Sequence, residues 1–104
     1  MTYENISPSE AKSRMDANPE AVIVDVRRPD EFVTGHIPGA INVPLADIQD
    51  GNIPPCLADK NAVYLIYCRS GVRSVTAADT LEKMGYTRLA NFGGILDWPY
   101  KIEH

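Results

Sequence analysis

Cysteine is scarce in this sequence and long apolar runs are missing, and each shortage excludes a class of protein. Two cysteines in 104 residues cannot build a disulfide framework. Cys56 and Cys68 also fit neither a CxxC pair nor a zinc pattern, so no metal site is expected. A bridge between them is not expected in a reducing compartment. No apolar stretch approaches the ~20 residues that span a bilayer, and "MTYENISPSEAKSRM" lacks the apolar core of a secretory signal. The expectation is a cytoplasmic protein with no membrane partner. Positive charge is in short supply too: 10 Lys and Arg stand against 14 Asp and Glu, a formal net charge of −4. A surface that holds nucleic acid or anionic lipid by electrostatics is therefore not expected, and any anion site must be local.

What is present suits a globular core. The chain is 44% hydrophobic and 23% charged, ordinary values for a soluble domain. Residues 1–104 read as one domain with no internal repeat or low-complexity tract. "SPSE" (Ser7–Glu10) carries a capping Ser, a Pro for the first helical position and a Glu three residues after the cap, which predicts a helix to about Met15. "AVIVDV" (Ala21–Val26) is apolar on both faces, as a central parallel strand requires. "RPDEFVTG" reads as a short helix opened by Pro29 and closed by Gly35. "AINV" (Ala40–Val43) reads as a brief strand and "PLADIQDG" as another short helix. "NIPPCLADKN" reads as a loop with a helical turn near its end, and "AVYLIY" (Ala62–Tyr67) as a second fully apolar strand.

After Cys68 comes a predicted helix whose core stripe is Val72, Val75, Ala78, Leu81 and Met84, ending at Gly85. "RLANF" is a last strand, followed by a glycine turn in "GGILDWPY". Strands alternating with helices give an α/β fold, doubly wound, with a mostly parallel sheet and helices on both faces. Ligands of such sheets bind beyond the carboxyl ends of the strands, where Cys68 falls.

A free cysteine after an apolar strand is, taken alone, usually a packing residue. The neighbours of Cys68 change that reading. From Cys68 to Ser74 the chain must turn from strand to helix, with Gly71 allowing a tight bend. Successive N–H groups in such a turn, together with the unsatisfied donors of the next helix, form a cradle for an anion. A thiolate is such an anion, and the helix N-terminus and the guanidinium groups of Arg69 and Arg73 should lower the thiol's pKa. Tyrosine-phosphatase-like enzymes and arsenate reductases separate their cysteine and arginine by five residues; here four residues lie between Cys68 and Arg73. The shorter loop suits the outer sulfur of a persulfide better than a whole phosphate group.

The sequence resembles the single-domain rhodaneses, the thiosulfate sulfurtransferase family. "DVRRPDEFVTGHIPGAINVP" (Asp25–Pro44) resembles the family's framework segment, "CRSGVRS" (Cys68–Ser74) its active-site loop and "NFGGILDW" (Asn91–Trp98) its closing segment. The resemblance implies about five strands and a double displacement. Cys68 takes the sulfane sulfur of thiosulfate or a similar small anionic donor as a covalent persulfide, with no other cofactor. It then passes that sulfur to cyanide or a thiol, with thioredoxin, glutathione and sulfur-relay proteins among the acceptors the family allows. Arg69, Ser70, Gly71, Val72, Arg73 and Ser74 are the expected substrate-binding residues, the two arginines attracting the donor. A phosphatase or arsenate reductase and a non-catalytic binding module are the competing readings. Asp25 and Arg27 are expected as a framework ion pair that also braces the loop. His36 is expected to fasten a turn, and Trp98 and Tyr100 to close the core or flank the pocket. Cys56 is expected as a bystander, or as a resolving thiol if its loop folds back.

Overall fold

The structure, a computed structural model, describes residues 3–104. Its first helix begins where the capping pattern places it. Ser7 Oγ accepts the Glu10 N–H at 3.1 Å and Pro8 opens α1 (Pro8–Ala17), which carries Ala11 into the core. The remaining elements are β1 (Glu4–Asn5), β2 (Val22–Asp25), α2 (Pro29–Phe32), β3 (Ile41–Asn42), α3 (Leu45–Gln49), β4 (Tyr64–Cys68), α4 (Val72–Lys83) and β5 (Leu89–Gly94). Single 3-10 turns lie at Pro55–Leu57 and Ile95–Asp97.

The five strands form one parallel sheet in the order β1-β5-β4-β2-β3. β4 lies at its centre, and all five of its residues are buried, which is why its sequence shows no polar alternation. Successive side chains still point to opposite faces. Tyr64, Ile66 and Cys68 pack with Val24, Ile48 of α3, and Ala77, Ala78 and Leu81 of α4. Leu65 and Tyr67 pack with Ala11 of α1, Ile37, Phe92 and Trp98. Both faces are covered, giving the doubly wound α/β arrangement. Among the described residues no helix is long and apolar enough to cross a membrane.

Four local expectations are corrected. β1 is a strand that hydrophobicity does not mark: its residues are polar and exposed, and it holds the sheet edge through backbone pairing with Ala90 and Asn91. In α4 the buried stripe is Ser74, Ala77, Ala78 and Leu81, while Val72 is 73% and Val75 39% exposed. A spacing of three drifts about 60° around the helix at each step, whereas the i, i+3, i+4, i+7 set keeps one face. The turn in the proline-rich loop forms on Pro55 itself, in mid-loop, because proline suits the first position of a helical turn. Gly93 and Gly94 are not a turn after the last strand; they form its end.

Asp25 closes β2 as a buried charge. Its carboxylate accepts from the Arg27 N–H at 2.9 Å and from the Arg27 guanidinium at 2.7 to 3.1 Å. Arg27 Nη2 also donates to Gly35 O at 2.7 Å, and Asn42 Nδ2 donates to the carbonyls of Asp25 and Arg27. Tyr67, whose phenol is pushed well above its ordinary range by burial, accepts the Ile37 N–H through its hydroxyl at 3.1 Å. These bonds fix the segment between β2 and β3 against the sheet, so that α2 stands beside the end of β4. Removing one member of such a pair leaves the other charge buried and unmatched.

Candidate functional site

β4 ends at Cys68, and the chain turns at once into α4. The helix has no side-chain cap: its N-cap position is Gly71, at φ +101°, a left-handed conformation that glycine adopts without strain. The first N–H groups of α4 therefore lack the usual Ser or Asp oxygen. The cysteine sulfur takes that role. Gly71 N–H points at Cys68 Sγ with N···S 3.0 Å, and the amides of Ser74 and Ser70 lie near enough to favour charge on it. Ser74 Oγ lies 3.5 Å from the sulfur.

Cys68 is 1% exposed, so its sulfur forms the floor of the loop rather than projecting from it. Burial pushes the thiol pKa up, but the Ser74 hydroxyl and the amides of Ser74, Gly71 and Ser70 together outweigh burial, and the net shift is downward. The acidity thus comes chiefly from hydrogen bonds that favour the thiolate, not from the guanidinium groups that the sequence brings forward.

Ser74 joins three elements through one hydroxyl. Besides the sulfur, its Oγ is within donor range of Gly71 O at 3.2 Å and of Gly93 O at 3.4 Å. One proton cannot serve all three, and ionising Cys68 draws it to the sulfur. Ser74→Ala is expected to slow alkylation of the Cys68 thiol at pH 7 by roughly tenfold, the scale of one hydrogen bond to a charged group. The pH at half-maximal rate should move upward, with the alkaline plateau kept within about twofold. A pH profile of the alkylation rate checks this.

The wall opposite the sulfur is β5, and here the register slips. Ile66 pairs with Asn91, but Cys68 pairs with Gly94, so β5 carries one extra residue across this interval. Asn91 Oδ1 accepts the Gly93 N–H at 3.1 Å and Gly93 stands at φ +93°, the geometry of a bulge. The bulge lets Gly94 meet the Cys68 loop backbone to backbone. A β-carbon on Gly94 would lie 2.6 Å from the carbonyl carbon of Arg69 and 2.6 Å from Ser70 Cα. Leu96 N–H completes the wall by donating to Arg69 O at 3.2 Å.

The other expected residues fall into separate places. The Arg69 side chain is exposed at the mouth of the loop, as is Val72. Arg73 turns from the loop toward α2, where its Nη1 and Nη2 donate to the Glu31 carboxylate at 2.6 and 2.9 Å. Glu31 itself has no signal in the sequence beyond its place in the first turn of a short helix. Asp25 and Arg27 are engaged with each other, Gly35, Asn42 and the Tyr67 surroundings, and none of these hydrogen bonds reaches the Cys68 loop. They brace the framework, and the loop only through it.

His36 stacks on Phe32 at 4.0 Å, with Nδ1 3.2 Å from Phe32 O and Nε2 3.5 Å from Glu103; it fastens the turn after α2. Trp98 and Tyr100 line a cavity of about 270 Å³ with Met15, Ile23 and Ile37, on the α1 face. Cys68 packs on the other face, so the two aromatics do not flank its pocket.

Cys56 is free and exposed. It lies near Tyr64 and Tyr86, adding to the upward shift that burial gives both phenols. Tyr64 starts β4 and Cys68 ends it, a separation of about 13 Å at the usual rise per residue. A resolving role for Cys56 is therefore set aside.

This fold and this loop define an α/β protein that holds an acidic thiol in a cup of main-chain amides at the carboxyl edge of a parallel sheet. Residues 7–100 match the Rhodanese-like domain, and the chain belongs to that family. It is 39% identical over 74 residues to "Thiosulfate sulfurtransferase PspE" of Escherichia coli, covering 71% of this chain and 70% of that protein. It is 42% identical over 94 residues to "Sulfurtransferase" of Allochromatium vinosum, covering 86% and 83%. Among solved structures, the Rhodanese-like domain protein of Staphylococcus aureus superimposes with a TM-score of 0.81 at 32% identity, covering 96% of each chain.

Proposed function

We propose that this protein is a sulfurtransferase that carries a sulfane sulfur as a persulfide on Cys68, with thiosulfate or a similar small anion as donor. The observation that carries this reading is the sulfur of Cys68 on the floor of an amide cup, 3.0 Å from the Gly71 nitrogen. The names carried by relatives of this chain support the general activity. The Cys68 thiolate attacks the outer sulfur of the donor, forming one S–S bond as the donor's own S–S bond breaks. Sulfite leaves with that electron pair, and the negative charge passes to the outer sulfur of the persulfide. Amides of Ser70, Gly71 and Ser74 are placed to stabilise charge on the bound sulfur with little reorganisation. A thiophilic acceptor, cyanide or a thiolate, then attacks the outer sulfur and returns Cys68 as a thiolate. No dedicated proton acceptor is required, in keeping with His36 at the turn.

Intact-mass measurement tests this reading. Incubation with thiosulfate should add one sulfur, ~32 Da, and cyanide should remove it while releasing thiocyanate. An unchanged mass with thiosulfate and with mercaptopyruvate alike overturns the proposal.

A further inference from the structure

Arg73 occupies a loop position suited to meeting an anionic donor, yet its side chain is already engaged. Both terminal nitrogens contact Glu31, at 2.6 and 2.9 Å, across 42 residues of sequence and from α4 to α2. The pair is largely shielded, with 32% of the Arg73 side chain and 17% of the Glu31 side chain exposed. A fork-to-fork pair of this kind fixes the guanidinium in plane and position. Glu31 is itself held, because its Oε1 accepts the Arg28 N–H at 3.1 Å. The Arg28 guanidinium lies 3.0 Å from Asp30 through Nε. Arg69 has no ion-pair partner among the described residues. With the sulfur ionised, Cys68 and Glu31 offset the two loop arginines, so a dianionic donor approaches a site with no net charge.

We infer that Glu31 determines donor specificity: by occupying Arg73 it weakens the preference for dianionic over monoanionic sulfur donors and leaves Arg69 as the side chain that meets the donor's anionic group. The inference rests on the sulfurtransferase reading above and adds to it a residue that acts through another. Arg73 first, against the opposing effect of burial, holds the Glu31 carboxyl down at about 2, so Glu31 is charged at every pH at which a sulfurtransferase is assayed. Pairing also retains Arg73 beside α2, although its guanidinium is close enough to respond to the Cys68 charge. Glu31→Gln is the informative change. The amide oxygen still accepts the Arg28 N–H and one Arg73 donor, so the shape is kept and the negative charge is removed.

The test uses inorganic sulfate as a non-reacting dianion and methanesulfonate as a monoanion, titrated by amide chemical shifts, beside loading by thiosulfate and methanethiosulfonate. In E31Q, sulfate should bind about three- to tenfold more tightly, the scale of one charge removed near a screened dianion. Methanesulfonate should change much less, thiosulfate KM should fall in step with the sulfate Kd, and kcat should stay within about twofold. The double variant Glu31→Gln with Arg73→Met removes the pair as a neutral unit, and its sulfate affinity should return to within about twofold of the parent. Arg69→Met should weaken sulfate about tenfold. Sulfate binding in E31Q that is unchanged or weaker overturns the inference, and so does a double variant as weak as Arg69→Met. Should E31Q not fold, the double variant and Arg69→Met decide it alone. Failure of these arms while the parent still gains sulfur removes the Glu31 role only. Absence of sulfur gain in the parent with every donor removes the sulfurtransferase reading and the inference with it.

Discussion

Cys68→Ala is expected to abolish the ~32 Da gain from thiosulfate and to lower sulfur transfer by about three orders of magnitude or more, since no other thiol stands in the cup. Cys56, at the opposite end of β4, should gain nothing in its place. The stability change should be small by comparison, about 1 to 2 kcal/mol. The lost contacts are those of one small buried side chain, and the Gly71 N–H loses its acceptor. Cys68→Ser should restore an acceptor for that N–H and recover part of the stability while staying inactive, because a serine hydroxyl does not ionise near neutral pH. Intact mass, thiocyanate release and thermal melting of the three proteins separate these effects. A mass gain that persists in Cys68→Ala would place the reacting thiol elsewhere and end the assignment.

The fold was legible in the sequence wherever one signal was strong. The cap at Ser7 starts α1 as expected, and the continuous apolar runs up to Asp25 and Cys68 became β2 and the central strand β4, both interior to the sheet. The β3 edge was legible as a brief strand, but the β1 edge was not, because β1 is joined by backbone bonds that carry no side-chain signature. The face of α4 was read correctly at Ala78, Leu81 and Met84 and misread in its first turns. Ser74 and Ala77, which are buried there, look weakly hydrophobic, while Val72 and Val75 beside them are exposed.

At the candidate site, the position of the cysteine was legible and its surroundings only partly so. Cys68 and the turn at Gly71 follow from strand, glycine and helix in succession. The partner of Arg73 does not, since Glu31 is distant in sequence and is brought near by the segment that Asp25, Arg27 and Tyr67 anchor. The cradle of amides was legible as a strand-to-helix turn at Gly71, and only the guanidinium contribution was overrated. Charged neighbours are conspicuous in a sequence, whereas the direction in which their side chains turn is not, and Arg73 turns to Glu31. Ser74, expected among the substrate-binding residues, lies with its hydroxyl within hydrogen-bond range of the sulfur, Gly71 O and Gly93 O.

Gly94→Ala should be the most damaging change that touches no reacting atom. The added methyl group would fall inside contact distance of the Arg69 carbonyl group and Ser70 Cα. Both obstacles are backbone, so no rotamer change relieves them, and either the loop or β5 must move. The Cys68–Gly94 pairing and the Leu96 N–H to Arg69 O bond at 3.2 Å hold both sides in place, which makes that movement costly. The expected destabilisation is about 3 kcal/mol or more, at the upper end for a single substitution that overpacks a core. If the loop yields, the amides of Ser70 and Gly71 turn away from the sulfur. A misplacement of about 1 Å is then enough to cost roughly a hundredfold in rate. The thiol pKa should rise as those donors are lost, so the loading rate should shift to higher pH as well as fall. Gly93→Ala makes the control: a β-carbon there meets nothing within 4 Å, and only its φ of +93° is unfavourable, so its cost should be about 1 kcal/mol with the pH profile unmoved. Denaturant titration and pH profiles of the two variants decide the matter. Near-normal activity and pH dependence in Gly94→Ala would show that the cup does not depend on this backbone contact.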